Sequence, residues 1–243
     1  VTEPHRATTA RSWRLLRAFG KEGSDPAHFY GLLARDTAAQ LASYTELKGA
    51  VLLDVGCGPG YFSEELRAAG ALCVGLDADL GEMRARGAPP EGVVIGDGLR
   101  LPVLSGAVDV CFSSNVLEHV PEPWTMAAEM IRVTRPGGVI YLSFTNWLSW
   151  AGGHETRPWH YLGGRFAARR YERRTGRPPK NLYGRSLFPV SVGAALRWAR
   201  GREDVEIVDA LPRYHPRWAA SVVSVPGLRE LLTWNLLLVL RKR

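Results

Sequence analysis

Val51-Leu52-Leu53-Asp54-Val55-Gly56-Cys57-Gly58-Pro59-Gly60 opens on an apolar, β-type run and closes that run with an acid and a valine. Glycine then takes every second position ahead of a helix-forming stretch from Tyr61. Glycine is wanted where the backbone turns sharply and a ligand or another chain segment comes close. Strand, glycine loop and helix together predict the carboxyl end of a parallel strand, where open α/β sheets bind their ligands. The spacing departs from the dinucleotide fingerprint, whose third glycine follows two intervening residues, so a nicotinamide cofactor is disfavoured.

Outward from that loop, short aliphatic runs alternate with segments of helical period. The runs are 51–55, 72–77, 92–96, 108–114 and 139–145; the helical segments between them are 61–69, 80–86 and 124–134. This alternation predicts a Rossmann-like, doubly wound α/β fold with a mostly parallel sheet. Arg135-Pro136-Gly137-Gly138 should stop the third helix, because proline cannot continue it and glycine tolerates the left-handed turn. Amphipathic helices are expected at 13–19 and 27–44, and a further helix at 190–200. Strands at 205–211 and 234–241 should end the sheet, the last one antiparallel.

At 243 residues the chain fits one domain with an elaboration. Its expected parts are an N-terminal helical lid (1–47), a cofactor-binding core (48–146), a substrate-recognition insertion (147–187) and the C-terminal part of the sheet (188–243). A hydrophobic fraction of 46% excludes a disordered chain. The run Trp234–Leu240 is far short of the ~20 residues that span a bilayer. Residues 1–11 lack the apolar centre of a secretory signal, and Cys57, Cys73 and Cys111 are an odd set without metal-ligand spacing. A reducing, cytoplasmic setting is the expectation. The net charge of +7 speaks to partners rather than to fold.

Acids recur at the ends of the strands. Asp77 closes Leu72-Cys73-Val74-Gly75-Leu76 and Asp97 follows Val93-Val94-Ile95. Each carboxylate sits where it can accept hydrogen bonds from a ligand's hydroxyls. Asp54–Gly60, Asp77, Asp97-Gly98, Asn115–His119 and Arg135–Gly138, in this order and spacing, resemble the successive motifs of the class I S-adenosylmethionine-dependent methyltransferase family. The resemblance covers about 48–146, and the overall look is similar to actinobacterial enzymes that methylate sugars or glycolipids.

Carried over by position, the resemblance implies that Asp54, Gly56, Cys57, Gly58 and Gly60 line the methionine part of the cofactor and that Asp77 and Ala78 hold its ribose. Asp97, Gly98 and Leu99 would meet the adenine, and Asn115 the sulfonium side. The product would be S-adenosylhomocysteine.

Methyl transfer is an in-line displacement that needs positioning more than catalytic side chains. A hydroxyl acceptor must nevertheless lose a proton, and His119 beside Glu118 is the expected base, with packing beside the cofactor as its other reading. His154, Glu155 and His160 compete for that role. They are also candidates for a divalent metal site, such as Mg²⁺. Tyr30, Trp147 and Trp159 join them as expected substrate contacts, because rings beside polar groups suit a carbohydrate-like small molecule; a small aromatic core is the other reading. The basic run 165–180 leaves an RNA or other anionic acceptor as the alternative, though no nucleic-acid-binding module accompanies it. A cofactor-binding sensor without turnover is the third possibility. Oligomeric state is not readable from the sequence.

Overall fold

The computed structural model describes residues 5–243; residues 1–4, at the head of the segment read as lacking a secretory signal, lie outside it. Helices α1 (Thr9–Phe19) and α2 (Pro26–Leu41) lead into β1 (Val51–Val55), α3 (Tyr61–Ala68), β2 (Leu72–Asp77), α4 (Leu80–Met83), β3 (Val93–Ile95) and β4 (Val108–Ser114). Next come α5 (Pro123–Val133) and β5 (Thr134–Thr145). Beyond a stretch of 3₁₀ turns lie α6 (Gly164–Thr175), α7 (Val192–Arg200), β6 (Val205–Pro212), α8 (Leu228–Leu232) and β7 (Asn235–Lys242).

One seven-stranded sheet runs in the order β3-β2-β1-β4-β5-β7-β6. β1 to β5 are mutually parallel. β7 is antiparallel to both β5 and β6. The expected doubly wound sheet with an antiparallel C-terminal strand is therefore the observed one. Strand order reverses between β1 and β4, so their carboxyl ends flank the switch point where such sheets open a crevice.

Local sequence explains the helix starts. Thr8 caps α1 by accepting from the Arg11 N–H, and Asp25 caps α2 through the His28 N–H ahead of Pro26 in the first turn. Arg135–Gly138 behaves differently from a plain helix stop. Pairing of β5 with β4 begins at Thr134 opposite Val108 and resumes at Val139 opposite Val110, so the four residues bulge out of the ladder. Gly137, at φ 79°, allows the excursion.

Alternating side chains of each strand enter two separate apolar layers. Leu53, Val55, Cys111, Ile140, Leu142 and Leu238 pack against Met126, Met130 and Ile131 of α5 and Leu196 of α7. Leu52, Val110, Phe112, Tyr141 and Val239 pack against Leu15, Leu33, Leu41, Phe62 and Leu66 of α1 to α3. Helix α2, expected as part of a lid, is thus also a layer of the core, with Leu33 and Leu41 fully buried.

Helix α1 is clamped to α2 by the buried Arg11–Asp36 pair, at 2.5 Å. Arg11 also donates to the Arg213 carbonyl. The Arg213 guanidinium donates to Ser114 at the end of β4, Ser143 in β5 and Thr37 in α2. This polar thread ties the N-terminal helices to the sheet close to the switch point.

Candidate active site

Gly56, Gly58 and Gly60 all have left-handed φ, 78°, 48° and 84°. A side chain at any of them would be strained. The space around them differs. A Cβ on Gly56 would collide with Val116, whereas a Cβ on Gly58 would meet nothing within 4 Å. The loop is therefore packed on its β4 side and open at Gly58. Its amides are anchored: Gly56 and Cys57 donate to the Leu76 carbonyl, and Gly58 donates to Asp77 Oδ2 at 2.8 Å.

The strand-end acids divide by burial. Asp77 is partly exposed and also accepts from the Asp79 N–H, so two backbone amides hold its carboxylate at the loop and spare lone pairs remain for a ligand. Asp97 is exposed and accepts from the Leu99 N–H, Gly98 is half-buried, and Ala78 is exposed beside Asp77. Asp54 departs from the expected lining role. It is 1% exposed and takes a 2.5 Å hydrogen bond from Ser63 of α3. Burial pushes its carboxyl up to about 7, against the opposing effect of the Ser63 bond. Asp54 thus ties the end of β1 to α3. Cys57 is likewise a packing residue: its buried sulfur fills the space that glycine leaves at position 75, and burial pushes the thiol up.

Beyond β4 the chain turns through Asn115, at φ 58°, whose Oδ1 accepts from the Asn235 side chain of β7 at 2.6 Å. Val116 rests on Gly56, and the 3₁₀ turn Leu117–His119 follows at once. Glu118 and His119 are therefore delivered beside the glycine loop. Glu118 is 1% exposed; its Oε1 accepts from the Thr145 N–H at 2.9 Å, and its Oε2 has no partner. His119 Nδ1 lies 2.7 Å from the Ser186 carbonyl, which can only accept, so Nδ1 carries the hydrogen and any lone pair of the ring is on Nε2.

From the insertion, the His154 ring meets His119 edge to face, with centroids 5.3 Å apart. Desolvation lowers the His154 pKa to about 4, outweighing the attraction of Glu118. Its imidazole is neutral at physiological pH.

The other expected substrate residues do not converge there. His160 is buried at 2% exposure against Trp147, with Nε2 3.1 Å from the Ser149 carbonyl. Glu155 is exposed and accepts from Asn181. The metal set read as His154, Glu155 and His160 is therefore not assembled, because these side chains point into separate environments. Trp147 also packs on Tyr183, making the small aromatic core that was the other reading. Trp159 is exposed beneath the Arg170 guanidinium, 4.0 Å above the ring. Tyr30 stacks on Tyr61 and donates to Glu22.

Two features escaped the sequence reading. Arg213 is 1% exposed, yet nothing in Leu211-Pro212-Arg213-Tyr214 marks it as buried. The pairing of His154 with Glu118 and His119 depends on how an aperiodic loop folds back. Its one sequence signal was the glycine pair at 152 and 153, where the chain runs against the 146–147 carbonyls and the His160 ring.

With this geometry in view, comparison with known proteins settles the family. A methyltransferase-domain model matches residues 53–142. An uncharacterized methyltransferase of Mycobacterium marinum is 51% identical, over 98% of this chain and 96% of its own. Another, from Mycolicibacterium paratuberculosis, is 52% identical over 97% and 96%. The chain belongs to this methyltransferase family. Solved methyltransferase structures share the fold. An S-adenosylmethionine-dependent methyltransferase from Mesorhizobium loti superposes with a TM-score of 0.58 at 24% identity, over 84% of this chain and 97% of that one. A TehB-like methyltransferase from Corynebacterium glutamicum gives 0.56 at 18% identity, over 96% and 99%. The methyltransferase-domain match spans β1 to β5 almost entirely, while the relatives extend through the insertion as well. Among the described residues no helix is long and apolar enough to cross a membrane.

Proposed function

We propose that this methyltransferase uses S-adenosylmethionine to methylate a hydroxyl of a polyhydroxylated, sugar-like small molecule. The observation that carries the reading is the Val116–Gly56 contact, which brings the Glu118–His119 turn against the glycine loop. The residues suit an adenosyl cofactor: the loop is open at Gly58, and Asp77 keeps lone pairs for ribose hydroxyls. Asp97 and Leu99 stand one strand further out, where an adenine ring would lie.

When bound, the cofactor supplies a methyl group activated on a sulfonium. The chain supplies position and proton acceptance. Asp77 and the open backbone at Gly58 fix the donor end, and the 3₁₀ turn holds the acceptor behind the methyl group. His119 Nε2 is the lone pair available for the hydroxyl proton, with Glu118 beneath it. Exposed Tyr161 offers ring surface to a sugar's C–H groups, whereas the Trp159 face is taken by Arg170.

A second reading draws on α6, where Arg165, Arg169, Arg173 and Arg174 are exposed and, among the described residues, make no ion pair. That surface suits an anionic acceptor such as RNA.

Calorimetry with S-adenosylhomocysteine should show saturable binding that Asp77→Ala weakens about 10- to 100-fold. Unchanged affinity in the variant overturns the cofactor assignment. A screen with labelled methyl donor should favour polyols and glycosides; transfer to RNA with a steep salt dependence would instead promote the second reading.

A further inference from the structure

We infer that Glu118, His119 and His154 form a binding site for a divalent transition-metal ion of the Zn²⁺ type. One ligand atom from each residue lies within 4.8 Å of the other two. Donors on a shared ion at about 2.1 Å stand at most about 4.2 Å apart, so small side-chain rotations close the set.

What distinguishes this trio from a chance meeting is how the remaining polar atoms are used. Glu118 Oε1 is fixed by the Thr145 N–H, and His119 Nδ1 donates to the Ser186 carbonyl. Glu118 and His119 are thus oriented from behind with one donor atom left over on each, which is how metal ligands are held by their surroundings. Two atoms of the trio are orphans: Glu118 Oε2 and His154 Nε2 are both buried without a hydrogen-bond partner. Burying such atoms bare is unfavourable, and a cation satisfies them together. His154 is held at φ 47°, a conformation that a non-glycine residue adopts only under constraint from its surroundings.

The donor chemistry selects the ion. Two imidazoles and one carboxylate suit Zn²⁺ and its first-row neighbours, whereas Mg²⁺ and Ca²⁺ prefer oxygen throughout. Three protein ligands leave a position free for an acceptor oxygen.

The role of the ion rests on the O-methylation reading; the site itself does not. In that role the His119 Nε2 lone pair, which serves as the base when no ion is bound, goes to the ion instead; the ion polarises the acceptor hydroxyl, whose proton passes to water as the oxygen–carbon bond forms. The carbon–sulfur pair stays on sulfur, leaving a neutral thioether.

The test is calorimetric titration of chelator-stripped protein with Zn²⁺ alone. It should show one equivalent bound, with Glu118→Gln and His154→Asn each weakening uptake by about 100-fold or more, while Glu155→Gln leaves it unchanged. Bound Co²⁺ should show a visible absorption band in the wild type that His154→Asn abolishes. S-adenosylhomocysteine affinity, retained in both ligand variants, certifies their fold. No saturable Zn²⁺ uptake, or uptake indifferent to both substitutions, overturns the inference. If uptake fails while S-adenosylhomocysteine still binds, the inference falls and the methyltransferase reading stands; the reverse pattern separates them the other way.

Discussion

Between Val51 and Thr145 successive strand residues enter one of two apolar layers, and turns are closed by backbone hydrogen bonds to the neighbouring strand. Residues 147–187, apart from the single helix α6, hold together by other means: 3₁₀ turns, glycines pressed against carbonyls and rings, and aromatic pairs such as Trp147 with Tyr183. The first region is a repeating solution in which each side chain's fate follows from its place in the strand. The second is a particular one, in which a residue's fate depends on a contact that no period announces. On the proposed function, the regular region carries the donor's contacts and the irregular one shapes the acceptor's surroundings. The two meet at His119 and His154.

That division makes expectations of graded size. The largest effect should come where the regions meet. His119→Ala should lower methyl transfer about 10²- to 10⁴-fold while S-adenosylhomocysteine affinity holds within about twofold. Parallel losses of turnover and affinity would instead assign His119 to the donor side.

Next in size is a defect outside both regions, in the N-terminal helices that pack on the regular one. Asp36→Asn leaves Arg11 buried without its counter-charge and should cost about 3–5 kcal/mol in urea unfolding. The Arg11 and His5 partners hold the Asp36 carboxyl well below the usual carboxylate range, against its burial. Its contribution is present above the unfolded-state value and is lost as pH falls toward the folded one. The stability gap between wild type and variant should therefore narrow in acid.

Tyr161→Ala, in the irregular region, should raise the acceptor KM by about 10-fold, yet shift stability by less than about 1 kcal/mol because the ring is partly exposed. A large loss of stability would show the insertion to be part of the core.

The last effect concerns the slope of a curve. Asp54 holds its proton to about pH 7 when folded, whereas an unfolded aspartate releases it near 3.8. The folded chain binds more protons across that window, so the Asp54 contribution to stability falls as pH rises from about 4 to 7. Asp54→Asn should flatten the profile over that interval, read as the difference between the two urea midpoints.

The sheet was legible because a strand buried on both faces writes itself as an aliphatic run, and the glycine loop because left-handed backbone restricts residue choice. Asp54 shows the limit of motif reading: its position was legible, but whether it faced the ligand or Ser63 depended on where α3 lay. Arg213 was hidden for a related reason. Its hydroxyl partners Thr37, Ser114 and Ser143 are scattered along the chain and gather only when the sheet forms. The metal reading had His154 but not its companions, because loop spacing carries no register to say which carboxylate it would face.

The insertion leaves and rejoins the sheet at one place. Trp147 N–H donates to the Val190 carbonyl, and Phe188 N–H donates to the Glu118 carbonyl two positions earlier in the returning chain. Neighbouring ends of this kind make the intervening stretch an exchangeable cassette: its length and sequence can drift, or be grafted, while the strands on either side keep their register. Any such exchange takes His154 with it. A homologue that adopts a new acceptor loop thereby also trades one of the three side chains of the inferred metal site, so recognition and metal binding would evolve as a single unit.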